Sequence, residues 1–274
     1  MKILVTGHRG HVGAPVAAHL KSLGHDVTGF DRAEGDDLLD LPAVKRAAAG
    51  ADTVVHLGAL AHDTAGSPED IMSVNVQGTW HVLLAAEQER ARRVIHFSSA
   101  QVLGTAEGEQ PPAYLPLDDA HPRRAMRPYG LSKRLAEDMC AGWTARTGIP
   151  TVSLRPVWVL DPGMYEQIRQ RWRADPESEW TPFWEFGAIV DVRDVATAVE
   201  LALTAPLEGN HRFLLCADRI AATGPSLTMA ARLAPGVPVH DPARFGQDPR
   251  RALIDCSAAR RVLGWQPKYG WSAG

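Results

Sequence analysis

Residues 2–13 read KILVTGHRGHVG. The run at 2–6 is apolar and stops at a glycine, as a strand buried on both faces of a parallel sheet does. Gly7, Gly10 and Gly13 follow at once, and Val12, Val16, Leu20 and Leu23 then recur at helical spacing over 12–23. A strand, a glycine turn and a helix in that order make a βα unit. Glycines let such a turn approach a pyrophosphate closely, and the helix N-terminus favours its charge.

Beyond this unit the pattern repeats. Strands are predicted at 25–31 (HDVTGFD), 52–57 (DTVVHL), 93–99 (RVIHFSS) and 150–155 (PTVSLR), with helices at about 70–89 and from the Tyr129 segment to 146. Alternating strands and helices predict an α/β fold, a Rossmann-type doubly wound parallel sheet with right-handed crossovers. The order breaks after Pro156. Residues 161–188 are rich in aromatics and proline with no clean period. The expected division is a dinucleotide-binding domain at 1–156 and a small C-terminal substrate-binding lobe at 157–274. Within the latter, about 189–216 return to the Rossmann core as a short strand, a helix and a strand at 211–216. A helix and a Trp-Gln-Pro turn end the chain.

Composition narrows the function. The chain has 274 residues, 45% hydrophobic and 22% charged, with a net charge of −3. That balance gives no basic footprint for nucleic acid. No apolar run approaches ~18 residues, so no membrane span is expected. The first residues read as a strand and not a signal peptide. Three scattered cysteines, Cys140, Cys216 and Cys256, suit a reduced, cytoplasmic setting. The 11 histidines show no ligand spacing, and no protein-bound metal is expected.

The glycine spacing is G-x-x-G-x-x-G, which meets the general dinucleotide fingerprint loosely. Asp31, at the end of the second predicted strand, strengthens it: an acid there accepts both ribose hydroxyls of an adenosine. A carboxylate repels a 2′-phosphate, so Asp31 favours NAD. Arg9 and Arg32 could grip that phosphate and leave NADP possible.

Tyr129 and Lys133 stand four residues apart, on one helix face, in RPYGLSKRLAED. An ammonium beside a phenol favours the phenolate. A free phenol titrates near ~10, so a base poised near neutrality needs about 4 kcal/mol from its surroundings. Ser99 ends a predicted strand and could merely cap it, and Asn75 could merely bond backbone.

TGHRGHVG, Asp31, DDLLD (36–40), HLGA (56–59), NVQGT (75–79), SSAQVLG (98–104), YGLSK (129–133), LRP (154–156), VDVRDVA (190–196) and LGWQP (263–267) occur in this order. Together they resemble the extended short-chain dehydrogenase/reductase family, the NAD-dependent epimerase/dehydratase group. The resemblance implies a catalytic set of Ser99, Tyr129 and Lys133 with Asn75 in support: Tyr129 as acid/base, Lys133 on the ribose, Ser99 on the reacting oxygen. It implies cofactor contacts from Gly7, Arg9, Gly10, His11, Val12, Gly13, Asp31 and Arg32, and from Asp37 and Leu38 beside the adenine. Leu57, Gly58 and Ala59 would border the cofactor, with Tyr129, Lys133, Pro156 and Val157 toward the nicotinamide. It also implies a small-molecule substrate and a homodimer.

The departures refine this. Dehydratases of the family carry an acid just after the Ser; here Ala100 and Gln101 cannot protonate a leaving hydroxyl. No Cys and His stand nearby for carbon deprotonation. Leu103 replaces a usual Tyr. Trp158 occupies the place where nucleotide-sugar enzymes present an Asn, so Gln101 and Trp158 are expected on the substrate side. Tyr165, Trp172, Trp180, Phe183, Trp184 and Phe186 either line a small pocket or form the lobe's core. Arg169, Arg171 and Arg173 either grip an anion or sit on an exposed helix. The expectation is hydride transfer at a carbinol or keto carbon of a small polar or sugar-like substrate. The alternatives are a nucleotide-sugar 4-epimerase and a dinucleotide-sensing regulator.

Overall fold

The computed structural model describes residues 1–180 and 185–271, Glu107 and Trp180 in backbone only. In chain order the elements are β1 (Lys2–Thr6), α1 (Gly13–Ser22), β2 (Asp26–Phe30), α2 (Leu41–Ala47), β3 (Thr53–His56), α3 (Pro68–Met72), α4 (Gly78–Gln88), β4 (Arg93–Phe97), α5 (Pro128–Thr147) and β5 (Thr151–Pro156). There follow β6 (Trp158–Leu160), α6 (Pro162–Ala174), β7 (Ile189–Asp191), α7 (Val192–Thr204), β8 (Asn210–Leu215), α8 (Ser226–Leu233), α9 (Arg244–Gln247) and α10 (Ser257–Leu263).

Six parallel strands form one sheet in the order β2-β1-β3-β4-β5-β8. The chain leaves β1 toward one edge and continues from β3 toward the other. The switch point therefore lies between β1 and β3, and a crevice opens there outside the strands' carboxyl ends. Both faces are covered. Ile3, Val5, Val55 and Ile95 join one buried cluster with α1 and α7 residues. Leu4, Val54 and Val94 alternate into a second cluster with Val82, Leu83 and Trp143 from α4 and α5.

The predicted helix at 70–89 is interrupted. Ser67 and Asp70 form a reciprocal cap that starts α3 at Pro68, and a π-turn over Ser73–Gln77 separates α3 from α4. The predicted strand near 189 does not enter the main sheet: β7 pairs with β6 in a two-stranded sheet of its own. Its Asp191 caps α7, which returns to pack on α1.

The stretch read as having no period contains α6. Asp161 caps it, and Tyr165, Ile168 and Trp172 form its buried stripe. They join Leu160, Ile189, Ala217, Ala221 and Trp271 in a third cluster, the core of the small lobe. Phe183 and Trp184 lie outside the described residues, as does the Trp180 side chain. No helix among the described residues is long and apolar enough to cross a membrane.

Candidate active site

The loop after β1 is built around close backbone approaches. Gly7 has φ +71°, and a Cβ there would meet Gly58 N at 2.7 Å. A Cβ on Gly13 would lie 1.9 Å from Gly7 O. The Gly10 N–H donates to Gly7 O at 3.0 Å, which closes the turn. No side chain caps α1, and its first turn holds no acid. Ala14 and Val16 donate to Gly10 O and Val12 O, and Pro15 has no N–H, so the Gly13 N–H is the first-turn donor of α1 left for an anion at the helix start. Side chains at Gly7 and Gly13 would collide with the backbone of Gly58 and Gly7, so glycine there is what lets the turn close tightly enough for a dinucleotide to approach the helix start.

Asp31 follows β2 beside the loop. Its Oδ2 accepts the Arg9 N–H at 2.8 Å, and its Oδ1 accepts the Ala33 N–H at 2.9 Å. The Arg9 guanidinium, expected for a phosphate, instead lies 3.3 Å from Glu34 Oε1, and the His8 ring is 3.4 Å from the same oxygen. Arg32 is exposed. Asp37 is exposed and bonds the Leu39 N–H at 2.9 Å, while Leu38 packs over Gly58 and Gly78. Leu57, Gly58 and Ala59 run on from β3, and the Gly58 N–H donates to Thr6 Oγ1 at 3.1 Å. His11 points away from this group: its Nε2 is 3.2 Å from Val159 O, and its Nδ1 is 3.7 Å from Asp161 Oδ2. It ties the loop to the small lobe. Val12 packs against the main core.

Ser99 ends the β4 segment, and its Oγ accepts the Gln101 N–H at 3.1 Å. Tyr129 stands in the first turn of α5, where Pro128 opens the helix and Asp63 Oδ1 accepts the Tyr129 N–H at 2.8 Å. The Ser99 hydroxyl is near enough to the Tyr129 phenol to favour its ionised form. Lys133 follows one turn later. Its Nζ donates to Phe97 O at 2.7 Å and lies 5.9 Å from the Tyr129 ring centroid. All three side chains are buried. The structure thus brings Ser99, Tyr129 and Lys133 together at the carboxyl end of β4.

The electrostatics differ from expectation. Burial pushes the Tyr129 phenol up to about 12; the Ser99 hydroxyl works downward, while the Glu185 and Asp63 charges add to the rise. Burial lowers the Lys133 ammonium to about 8, against the opposing pull of Cys140 and Glu137. The ammonium does not bring the phenol near neutrality because it is aimed at the Phe97 carbonyl, and desolvation dominates both groups.

Asn75, expected to support the catalytic set, lies in the π-turn and spends its amide on structure. Its Oδ1 accepts the Leu60 N–H at 2.8 Å. Its Nδ2 donates to Leu60 O and to Ser132 Oγ, both at 3.0 Å. Ser132 Oγ in turn donates to Tyr129 O at 2.7 Å. Asn75 therefore braces the start of α5 and touches no reacting group.

Gln101 lies next to Ser99, its carbonyl backed against Gly130. Trp158 packs against the small-lobe core, in β6. Pro156 ends β5, and the Val157 N–H donates to Leu215 O at 3.2 Å. Arg169 stacks 4.9 Å from the Trp271 ring and pairs with Glu166 at 3.6 Å, and Arg173 pairs with Glu166 at 3.2 Å.

One element under the site was missed in the sequence. Glu137, fully buried one turn beyond Lys133, accepts Ser98 Oγ and Arg155 Nε at 2.7 Å each and Arg155 Nη2 at 2.8 Å. Burial alone would raise this carboxyl, but Arg155, then Ser98, hold it below its ordinary value. The network locks α5 to the ends of β4 and β5. The spacing Tyr129, Lys133, Glu137 on one helix face was its legible signal.

Comparison with known proteins agrees with this geometry. A uronate dehydrogenase from Pseudomonas syringae pv. tomato is 32% identical over 167 residues, spanning 56% of this chain and 58% of that protein. The match thus covers less than two thirds of that relative. A UDP-glucose 4-epimerase from Mycolicibacterium smegmatis is 29% identical over an alignment covering 100% of this chain and 96% of the epimerase. A short-chain dehydrogenase/reductase superfamily protein from Agrobacterium tumefaciens, solved with bound NAD, superposes with a TM-score of 0.73 at 25% identity, covering 98% of this chain and 93% of that one. The family model for the NAD dependent epimerase/dehydratase family matches residues 3–216. The chain belongs to that family and is an NAD-dependent enzyme of the extended short-chain dehydrogenase/reductase type.

Proposed function

We propose that the protein is an oxidoreductase acting at a carbinol or keto carbon of a small substrate, with Tyr129, Ser99 and Lys133 as its catalytic residues. The observation that carries this reading is the convergence of three buried side chains, Ser99, Tyr129 and Lys133, at the carboxyl end of β4, with Lys133 Nζ 5.9 Å from the Tyr129 ring centroid. NAD supplies the two-electron acceptor or donor when bound. The backbone of Val12 and Gly13 would hold its pyrophosphate, with Gly7 and Gly10 keeping the turn tight, and Asp31 would hold its adenosine ribose. The Arg9–Glu34 pair and the neighbouring Asp31 leave little cationic character for a 2′-phosphate, which favours NAD over NADP.

The Tyr129 hydroxyl exchanges the proton of the reacting oxygen, and the Ser99 hydroxyl fixes that oxygen. Lys133 is cationic below about 8 and would hold the nicotinamide ribose, while the Ser99 hydroxyl favours the ionised form of the phenol. Asn75 and the Ser98–Glu137–Arg155 network position α5 and β4 without touching the reaction. Elimination is disfavoured because Ala100 and Gln101 offer no acid beside Ser99.

A 4-epimerase reading uses the same proton path and is favoured by the whole-length similarity to UDP-glucose 4-epimerases. Two observations count against it. Trp158 packs against the small-lobe core at the place expected for a sugar-phosphate Asn. The 274 residues also fill an alignment 319 positions long, so this chain has gaps against the epimerase. Net redox separates the readings. The proposed enzyme changes the 340-nm absorbance stoichiometrically with the alcohol or sugar consumed. Conversion of UDP-glucose to UDP-galactose with no net absorbance change would replace this reading with the epimerase.

A further inference from the structure

Four polar side chains are buried in one row across the sheet. Thr6, His56, His96 and Ser153 stand in register on β1, β3, β4 and β5, each at most 2% exposed. By alternation they share the face of Leu4, Val54 and Val94, which α4 and α5 cover. Burying such groups costs free energy unless they find partners. His56, at the carboxyl end of β3, has two. Its Nδ1 lies 2.7 Å from Thr6 Oγ1, and its Nε2 lies 3.0 Å from Thr79 Oγ1.

The neighbours fix which ring nitrogen carries the proton. The Thr79 hydroxyl donates its one hydrogen to Asn75 O at 2.5 Å. Only a lone pair is left for the ring, so His56 donates from Nε2 and accepts at Nδ1. The Thr6 hydroxyl therefore donates to Nδ1, and its Oγ1 accepts the Gly58 N–H at 3.1 Å. The opposite tautomer would set two lone pairs against each other at Thr79. Burial first, then the His96 and Lys133 charges, hold the ring well below its ordinary titration, so it stays neutral as this arrangement needs.

These bonds belong to one chain. It begins at the Gly58 N–H, against which the Gly7 turn is packed: a Cβ on Gly7 would lie 2.7 Å from that nitrogen. It passes through Thr6, His56 and Thr79 to Asn75. Asn75 Nδ2 then donates to Ser132 Oγ at 3.0 Å, and Ser132 Oγ donates to Tyr129 O at 2.7 Å. The glycine turn and the first turn of α5 are thus the two ends of a single satisfied network.

We propose that His56 is a positioning residue of this enzyme: with its ring proton on Nε2, it couples the turn that receives the dinucleotide to the helical turn that carries Tyr129. The proposal rests on the cofactor and Tyr129 assignments made above and adds the link between them.

Two measurements test it. Long-range 1H–15N NMR of the 15N-histidine-labelled protein reads the tautomer in the wild type, and NADH fluorescence titration reads the link. His56 should show a protonated Nε2 and a bare Nδ1. Thr79→Val keeps the shape and removes the buried hydroxyl on the far side of the ring from Gly58. It should weaken NADH about fivefold, and Thr79→Ser should stay within about twofold of wild type. Thr6→Val should weaken NADH by a similar factor. The double variant should be weaker than either single by less than about twofold, because one chain breaks only once. Urea unfolding shows that each variant is folded. A protonated Nδ1 on His56 would overturn the proposal. So would a Thr79→Val variant that is less stable in urea yet binds NADH as wild type does, the signature of a merely structural hydroxyl. A double variant in which the two factors multiply would also overturn it. Tyr129→Phe separates this link from the catalytic reading: it should lose turnover and leave the His56 tautomer and NADH affinity unchanged. Retained turnover in that variant would remove the catalytic assignment and leave the His56 link standing.

Discussion

At the carboxyl edge of the sheet, side chains are held by hydrogen bonds to backbone: Asp31 on Arg9, Asn75 on Leu60, Lys133 on Phe97. In the small lobe, Tyr165, Trp172 and Trp271 pack on one another, with the two tryptophan rings 4.8 Å apart at the centroids, and the Tyr165 hydroxyl donating to Asp191 Oδ2 at 3.0 Å is the polar tie of this group. The first kind of support accepts one residue type at one place, because only one donor or acceptor reaches. The second accepts any group of suitable volume. A site anchored by the first and walled by the second can keep its chemistry while its substrate changes. The same contrast explains why the aromatic stretch at 161–188 carries none of the motifs.

Paired substitutions would break or sharpen this contrast. Glu137→Ala leaves Arg155, fully buried, without its main partner, and should destabilise the protein by about 3–5 kcal/mol in urea unfolding. NADH affinity should fall with it, because α5 loses its tie to β4. Trp172→Ala should also cost about 3–5 kcal/mol, through a cavity in the lobe, while NADH affinity stays within about twofold of wild type. Equal loss of NADH binding in both variants would mean that the two regions do not act separately.

A smaller effect concerns pH. Burial lowers Lys133 from its ordinary value to about 8, so the folded protein holds this side chain cationic below that pH and neutral above it. The proposed ribose contact needs the cation, so NADH affinity should weaken about tenfold as the pH rises through 8. Stability moves the opposite way. Between pH 8 and Lys133's ordinary titration near 10.5 the unfolded chain binds the extra proton, so this group's contribution to stability rises with pH. In Lys133→Met the affinity should be flat across this range. A titration of the wild type with no slope would remove the assigned contact.

Much of the nucleotide half was legible in the sequence. The first strand, read at 2–6, is Lys2–Thr6, and the strand read at 211–216 is Asn210–Leu215. Apolar runs ending in glycine, and a Tyr and Lys at helical spacing, are local signals with one structural solution. What stayed hidden has physical reasons. The stripe of α6 is diluted by Glu166, Arg169, Arg171 and Arg173, so the helical period of Tyr165, Ile168 and Trp172 did not stand out, although Tyr165 and Trp172 were legible as candidate core. β6 has three residues and is a strand only because it pairs with β7, whose strand was expected but in the main sheet. The π-turn that aims Asn75 at Leu60 leaves no compositional mark. The titration of Tyr129 depends on burial and on Glu185 and Asp63, charges far away in sequence, and spacing to Lys133 carries neither.

Hydride transfer measured at 340 nm in a single turnover, wild type against Tyr129→Phe, tests the central claim most directly. The substrate is whichever alcohol or sugar the wild type oxidises, and NADH affinity is measured on the same preparations. The account predicts a rate lower by about 10²–10⁴ in the variant, with NADH affinity within about twofold of wild type. A variant that transfers hydride at the wild-type rate would contradict it.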